Sequence, residues 1–237
     1  IRDRLTTTYR RGVGKLMWLI PIRPDINFAT KELSRSLAEP TEDDMAKMKH
    51  VIRYLIGTKQ HTIEVTRQPM NHPEATSEIH VYVDSDWAGC HSTRKSTTGC
   101  VIKLEGGTVH HFSRTQPTIA TSSGEAELYA IGSGVSEALG IRNFLLEAKL
   151  VKRASIKVFT DATAAKQIAT RFGASKQTKH IQLRYLYIQD LVINGMVTIK
   201  KVPTRDNPAD ILTKHVDKNT LLHHLHTVGI SLSLIHI

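Results

Sequence analysis

Cysteine is nearly missing: Cys90 and Cys100 are the two thiols in 237 residues. A disulfide scaffold is excluded, and the expectation is a protein of the reducing interior of the cell, not a secreted one. Long apolar runs are also absent, since no stretch approaches the ~18 residues that a membrane span needs. Glycine (14) and proline (8) are too few for a fibrous or low-complexity chain. With 40% hydrophobic and 23% charged residues, the chain can bury one sizeable core plus an appendage. Acid is the scarce charge. Against 32 Lys+Arg there are 22 Asp+Glu, a net charge of +10, with 13 histidines besides. A polyanionic partner is the first expectation, because basic side chains release counterions from a phosphate backbone, although a basic surface also serves solubility.

The two thiols do not make a convincing zinc site. His91, His110 and His111 lie near them in sequence, but Cys90 and Cys100 form no CxxC pair. A zinc-bound domain around Cys90, Cys100, His110 and His111 therefore ranks behind two reduced thiols.

The chain opens at Ile1 without a leader-like segment and reads as part of something longer. Leu232–Ile237 resembles a translated sequencing adapter. Between the ends, residues 1–66 have helical character. Val13, Leu16, Met17 and Ile20 recur at helical spacing, and a second run extends from Asp25 to Leu37. A third begins at a capping-box-like Thr41–Asp44 and carries Met45, Met48, Ile52 and Leu55 along one face as far as Gly57. Their apolar stripes need a partner, which suggests an incomplete domain. Residues 67–77, with Pro69 and Pro73, lack periodicity and read as a linker.

A second unit is expected over 78–216, followed by a tail over 217–237. Ile79, Val81 and Val83 alternate with His80, Tyr82 and Asp84, a strand ending in a carboxylate. Strands at Gly99–Leu104 and Val109–Ser113 flank a Gly106–Gly107 hairpin signal. Ser122 or Ser123 caps a helix with Leu128, Ile131 and Val135 on its inner side and Glu127 at the border. Ile156–Thr160 is a strand followed at once by Asp161, and a helix covers Ala162–Thr170. Lys179–Ile193 is a further helix, Val197–Val202 a last strand, and Asn207–Asp210 the opening of a final helix with Pro208 in its first turn. The class is α/β: a mixed five-stranded sheet, its first three strands antiparallel, flanked by helices and preceded by a small helical segment.

Asp84 at a strand end, Glu127 on the first long helix, Asp161 after the fourth strand and Asp210 in the first turn of the last helix are separated by 43, 34 and 49 residues, so only tertiary folding can gather them. If gathered, four carboxylates would raise one another's pKa unless cations neutralised them, and an all-oxygen donor set selects Mg²⁺ or Mn²⁺ over zinc. On spacing alone, four separate caps or surface acids is the favoured reading.

The words around these acids go further. Val83-Asp-Ser-Asp-Trp-Ala-Gly89, Arg94-Lys-Ser-Thr-Thr-Gly99, Ala120-Thr-Ser-Ser-Gly-Glu-Ala-Glu-Leu-Tyr-Ala130, Phe159-Thr-Asp161, Thr178-Lys-His-Ile181 and Asp206-Asn-Pro-Ala-Asp-Ile-Leu-Thr-Lys214 resemble, in order, the ribonuclease H domain of Copia-type retrotransposon Pol polyproteins. Upstream, Arg23-Pro-Asp-Ile26, Leu33-Ser-Arg35 and Arg53-Tyr-Leu-Ile-Gly-Thr58 resemble the end of the reverse transcriptase of the same polyprotein. The match runs over roughly residues 9–216. No Tyr-x-Asp-Asp polymerase signature occurs, so the helical segment reads as a reverse-transcriptase remnant that does not itself polymerise.

The resemblance implies a ribonuclease H-like fold and cleavage of the RNA strand of an RNA–DNA hybrid during reverse transcription. Two Mg²⁺ (or Mn²⁺) ions about 4 Å apart would be held by Asp84, Glu127, Asp161 and Asp210. Asp86 competes with Asp84 as the first ligand, Glu125 less well with Glu127, and Asp206 reads as a cap or surface acid. Ser85, Ser122, Ser123 and Thr163 are candidates to contact the hybrid, and Arg94, Lys95, Lys176, Lys179, His180 and Arg184 to track its phosphates. The implied partners are the hybrid and the upstream reverse transcriptase domains, with no membrane; the implied location is the cytoplasmic retrotransposon particle and the nucleus. Cellular ribonucleases H carry a histidine in the loop before the last helix. Here residues 202–210 hold none, Thr204 and Arg205 standing there instead, and His180 or His215 are the possible substitutes. The competing reading is a hybrid-binding or connecting module that has lost catalysis.

Overall fold

The computed structural model describes residues 2–64, 76–170 and 183–232. Its centre is a five-stranded sheet built from β2 (Thr76–Asp86), β3 (Thr97–Leu104), β4 (Gly107–Thr115), β5 (Arg153–Thr160) and β6 (Val197–Lys201). The strand order is β4-β3-β2-β5-β6. β2, β3 and β4 pair antiparallel, while β5 and β6 join parallel to β2 and to each other. This is the mixed sheet expected of a ribonuclease H-like fold.

Alternation on β2 decides which way the acids point. Ile79, Val81 and Val83 are fully buried beneath α4 (Ser123–Glu147), with Cys100 and Ile102 beside them. Burying each such aliphatic side chain contributes about 1.5–3 kcal/mol. Tyr82 and Asp84 therefore face the other side, where Tyr82 packs with Val101, Ile211, Leu212 and Leu225. α4 approaches β2 closely because Gly134 lacks a side chain: a Cβ there would lie 2.7 Å from Val83 Cγ1. α4 starts where Ser122 accepts the Glu125 amide at 3.2 Å. α5 (Thr163–Thr170) and α6 (Leu183–Ile193) pack with α4. The β3–β4 hairpin turns through Glu105 and Gly106, both left-handed with φ of 49° and 83°.

The N-terminal helices are α1 (Arg2–Leu19), α2 (Asn27–Ser34) and α3 (Glu42–Gly57). They bury Tyr9, Val13, Leu16, Ile26, Leu33, Met45, Met48 and Val51 against one another, so their apolar stripes find partners within the segment itself. Val51, not Ile52, faces inward, and Ile52 is 37% exposed, because packing on α1 selects one of two adjacent residues at helical spacing. The capping box at Thr41 and Asp44 is formed.

Two further expectations are corrected. The segment after Asn207 is a 3₁₀ helix, Pro208–Leu212, not the first turn of an α-helix. Residues after 216 are not all tail: α7 spans Lys218–Thr227, and β7 (Ile230–Leu232) pairs antiparallel with β1 (His61–Ile63). Each strand is three residues long, too short to show a period in sequence. Of the expected linker, residues 67–75 lie outside the described residues, as do residues 233–237 of the adapter-like end. Ser77 is already in β2. Among the described residues no helix is long and apolar enough to cross a membrane.

Candidate active site

β2 and β5 run parallel and side by side, so Asp84 and Asp161 emerge at the same end of the sheet. Glu127, in the second turn of α4, comes down onto that end. One carboxylate oxygen each from Asp84, Glu127 and Asp161 lie within 4.8 Å of one another. The 3₁₀ segment adds Asp210. In a 3₁₀ helix side chains three apart eclipse, and Thr213, three residues beyond Asp210, donates its hydroxyl to Asp84 Oδ2. Asn207 fixes the start of this segment, donating to the Val83 carbonyl at 2.8 Å and accepting from Ala209 N. Gly99, the register partner of Asp84, lets the segment close in: a Cβ there would lie 2.7 Å from the Ala209 carbonyl oxygen.

The electrostatics are strained in one direction. Asp84, Glu127 and Asp210 are all buried, 4%, 7% and 5% exposed. Burial pushes Glu127 up to about 8, with the Asp84 and Asp161 charges adding to it against two hydrogen bonds from Ser85. Burial, then the Asp210 and Asp161 charges, lift Asp84 to about 6 against the Thr213 hydroxyl and Lys214. Glu127 Oε2 and Asp210 Oδ1 have no hydrogen-bond partner among the described residues. Among the described residues, the cation inserted into the group is Lys214, 3.0 Å from Asp210 Oδ2. Its own burial lowers its pKa, but the surrounding carboxylates outweigh that and raise it. A cluster of hard oxygen donors, two of them unmet, fits a divalent cation held by Asp84, Glu127 and Asp161 with Asp210 alongside.

The rival acids are elsewhere engaged. Glu125 accepts from Thr121 N and Oγ1 at 2.7 Å each and from Tyr129, which makes it a cap of α4. Asp86 folds its side chain over Gly89, and burial raises its pKa while Lys214 and Lys31 pull it down. Asp206 stands at the surface near Arg205 and His223.

Several candidate hybrid contacts have other partners. Ser85 gives both its amide and its hydroxyl to Glu127 Oε1 at 3.0 Å, so it holds a carboxylate. Ser122 is the α4 cap, while Ser123 is exposed at the helix start. Thr163 accepts from Lys201 Nζ at 2.9 Å. Arg94 is exposed and Lys95 half-buried in the loop after β2. Lys176, Lys179 and His180 lie outside the described residues, and so does the Arg184 side chain. Where cellular ribonucleases H have their loop histidine, Thr204 donates to Asp161 Oδ2 at 2.8 Å, and His215 packs edge-on against Phe28. The zinc reading fails among the described residues: the group able to hold a metal contains neither cysteine nor histidine, because Cys100 faces the core under α4 and Cys90 sits in an outer loop. Sequence reasoning missed Thr213, Asn207 and Lys214. Lys214 alone left a signal, four residues after Asp210 and so within reach of it.

No family model matches the sequence. Among curated proteins, the retrovirus-related Pol polyprotein from transposon RE1 of Arabidopsis thaliana is 30% identical over 225 residues, covering 95% of this chain and 15% of that protein. The retrovirus-related Pol polyprotein from transposon TNT 1-94 of Nicotiana tabacum is 32% identical over 212 residues, covering 89% and 15%. The chain thus spans about 15% of the length of these relatives. Among solved structures, LC11-RNase H1, isolated from compost by a metagenomic approach, overlays at a TM-score of 0.45 with 18% identity, covering 57% of this chain and 92% of that one, a likeness too loose to argue from. On the length and identity of the sequence matches, the chain belongs to the retrovirus-related Pol polyproteins of Copia-type retrotransposons.

Proposed function

We propose that residues 78–216 form the ribonuclease H domain of the polyprotein, hydrolysing the RNA strand of an RNA–DNA hybrid, and that residues 1–66 are the end of its reverse transcriptase, joined through 67–77. The observation that carries this reading is the convergence of Asp84, Glu127 and Asp161 within 4.8 Å, with Asp210 beside them. Divalent ions bound there, two Mg²⁺ or Mn²⁺ in this reading, would supply an acidified water and neutralise the charge that builds on the phosphate.

The residues of the chain do the rest. Ser85 fixes one oxygen of Glu127 and leaves the other free to bind. Thr213 holds Asp84, and Thr204 holds Asp161. Lys214 pairs with the buried Asp210 at 3.0 Å. In the reaction a water oxygen forms a bond to phosphorus, the bond from phosphorus to the 3′ oxygen breaks, and a proton ends on that oxygen, leaving 5′-phosphate and 3′-hydroxyl ends. Arg94 and Lys95 on their loop, with Lys176, Lys179, His180 and Arg184, supply the phosphate-tracking charge, and Ser123 can donate to the hybrid backbone from the start of α4.

The test is cleavage of a labelled hybrid with Mg²⁺ by the native chain, Asp84→Asn and Glu127→Gln. Cleavage by the native chain alone supports the reading. Equal activity in all three overturns it, and tight hybrid binding without any cleavage would mark a connecting module instead.

A further inference from the structure

The three strands β2, β3 and β4 end in one register row, in which Asp86 pairs with Thr97 and Thr97 with Thr115. From this row project the carboxylate end of β2 and the loop that follows it. Two cations of the N-terminal segment, Lys31 on α2 and Arg35 at its C-terminal cap, lie across the same row. Lys31 Nζ donates to Thr97 Oγ1 at 2.7 Å and pairs with Glu32 at 2.5 Å, above the Phe28 ring and only 11% exposed. Arg35, one turn on, donates to Thr115 Oγ1 at 3.1 Å and to Cys90 Sγ at 3.0 Å, and is itself held by Glu32 at 3.1 Å. Phe28 of the same helix also packs edge-on against His215, the neighbour of Lys214, with ring centroids 5.2 Å apart.

A surface ion pair would not warrant attention, since such pairs contribute little. Lys31 differs. An ammonium held out of water is costly unless fully paired, and its hydrogen bonds to charged or polar partners are correspondingly strong. Here one of those partners is the residue directly across the strands from Asp86. The hydrogen bonds that Lys31 and Arg35 make outside the N-terminal segment go to Thr97, Thr115 and Cys90, all on or beside the sheet.

We infer that α2 and the turn that ends it are part of the carboxylate site, with Lys31 and Arg35 as positioning residues that clamp the row Asp86–Thr97–Thr115 and so fix the strand end on which Asp84 is mounted. The N-terminal segment is then a structural component of the nuclease site rather than a passive remnant. The inference builds on the nuclease reading, but its main readout, metal binding without substrate, is independent of turnover.

The experiment titrates Mg²⁺ by calorimetry into the full chain, Lys31→Met, Thr97→Val and the double variant, with no hybrid present. Lys31→Met is expected to weaken Mg²⁺ binding about fivefold, and the double variant to be no weaker than the worse single, since both changes break one link. At saturating Mg²⁺ the kcat of Lys31→Met on hybrid should return to the native value, as it would not for a residue that touches the reacting atoms. Native Mg²⁺ affinity in folded Lys31→Met, or losses that simply add, would overturn the clamp. Should Lys31→Met fail to fold, Arg35→Gln, whose bonds to Cys90 and Thr115 are at the surface, makes the same test with the same two outcomes. A native chain that binds Mg²⁺ with this dependence yet cleaves no hybrid would sink the nuclease reading and leave the clamp standing.

Discussion

The N-terminal helices and the carboxylate end of the sheet both bury charge, and they do so in opposite ways. Among the N-terminal helices, Arg23 and Asp25 pair at 2.6 Å with side chains 7% and 0% exposed. The Tyr54 hydroxyl donates to Asp25 at 2.7 Å, and Arg23 also reaches Thr58 Oγ1 at 2.7 Å. That network is complete. At the carboxylate end of the sheet, Asp84, Glu127, Asp161 and Asp210 face one another with Lys214 as the inserted cation, and two buried oxygens go unmet. A closed network stabilises a fold and does nothing else, whereas a buried deficit of positive charge is tolerated where something else completes it.

The comparison can be broken most sharply by neutralising one acid in each place. Glu127→Gln should lower hybrid cleavage by more than about a hundredfold and, by removing a carboxylate that is expensive to ionise, make the metal-free chain no less stable to urea. Asp25→Asn should do the reverse, costing about 3 kcal/mol because it strands the Arg23 guanidinium, with specific activity of the folded fraction unchanged. If both substitutions damaged stability equally, the contrast would be wrong.

The pH dependence comes next. Glu127 and Asp84 have native values near 8 and 6, raised above their unfolded values near 4. Between those limits the native state holds more protons than the unfolded chain, so metal-free stability should fall as pH rises from about 4 to about 8. Saturating Mg²⁺, which binds the ionised form, should flatten that fall, adding about 2.7 kcal/mol at a hundred times its Kd. Urea midpoints measured across this range with and without Mg²⁺ check both. A metal-free stability that rose through the same window would show the acids to be already neutralised.

The smallest effect sharpens the contrast within a single helix. Glu125 and Glu127 lie two positions apart on α4 and are both buried, but Glu125 is spent on Thr121 and Tyr129. Glu125→Gln should cost about 1 kcal/mol, the worth of a cap, and leave hybrid cleavage and Mg²⁺ affinity within a factor of two. Loss of Mg²⁺ binding in this variant would move the site by two residues.

Legibility in the sequence followed the length of the pattern. Ile79, Val81 and Val83 announced β2 and, by alternation, the face on which Asp84 stands; Leu128, Ile131 and Val135 placed Glu127 at the border of a buried helix face. Five-stranded α/β architecture could be read because each core element carries several periods of its pattern. The three-residue strands β1 and β7 carry none, and α7 was hidden by its run of histidines. The 3₁₀ turn at Pro208–Leu212 opens with the same Asn-Pro cap chemistry as an α-helix, so the sequence does not separate i→i+3 from i→i+4 closure there.

The alternation on β2, the cap and periodicity of α4, and the acid directly after β5 are local properties, settled by side-chain size and backbone preference over a few residues. Sequence therefore determined which acids end which elements. That Thr213 reaches Asp84, that Lys214 enters the group, that Ser85 serves Glu127, and that Lys31 of α2 reaches across to Thr97 was decided by tertiary structure alone. Hydrogen bonds and charges act over a few ångströms of space, and no spacing along a chain specifies which distant residue will occupy them.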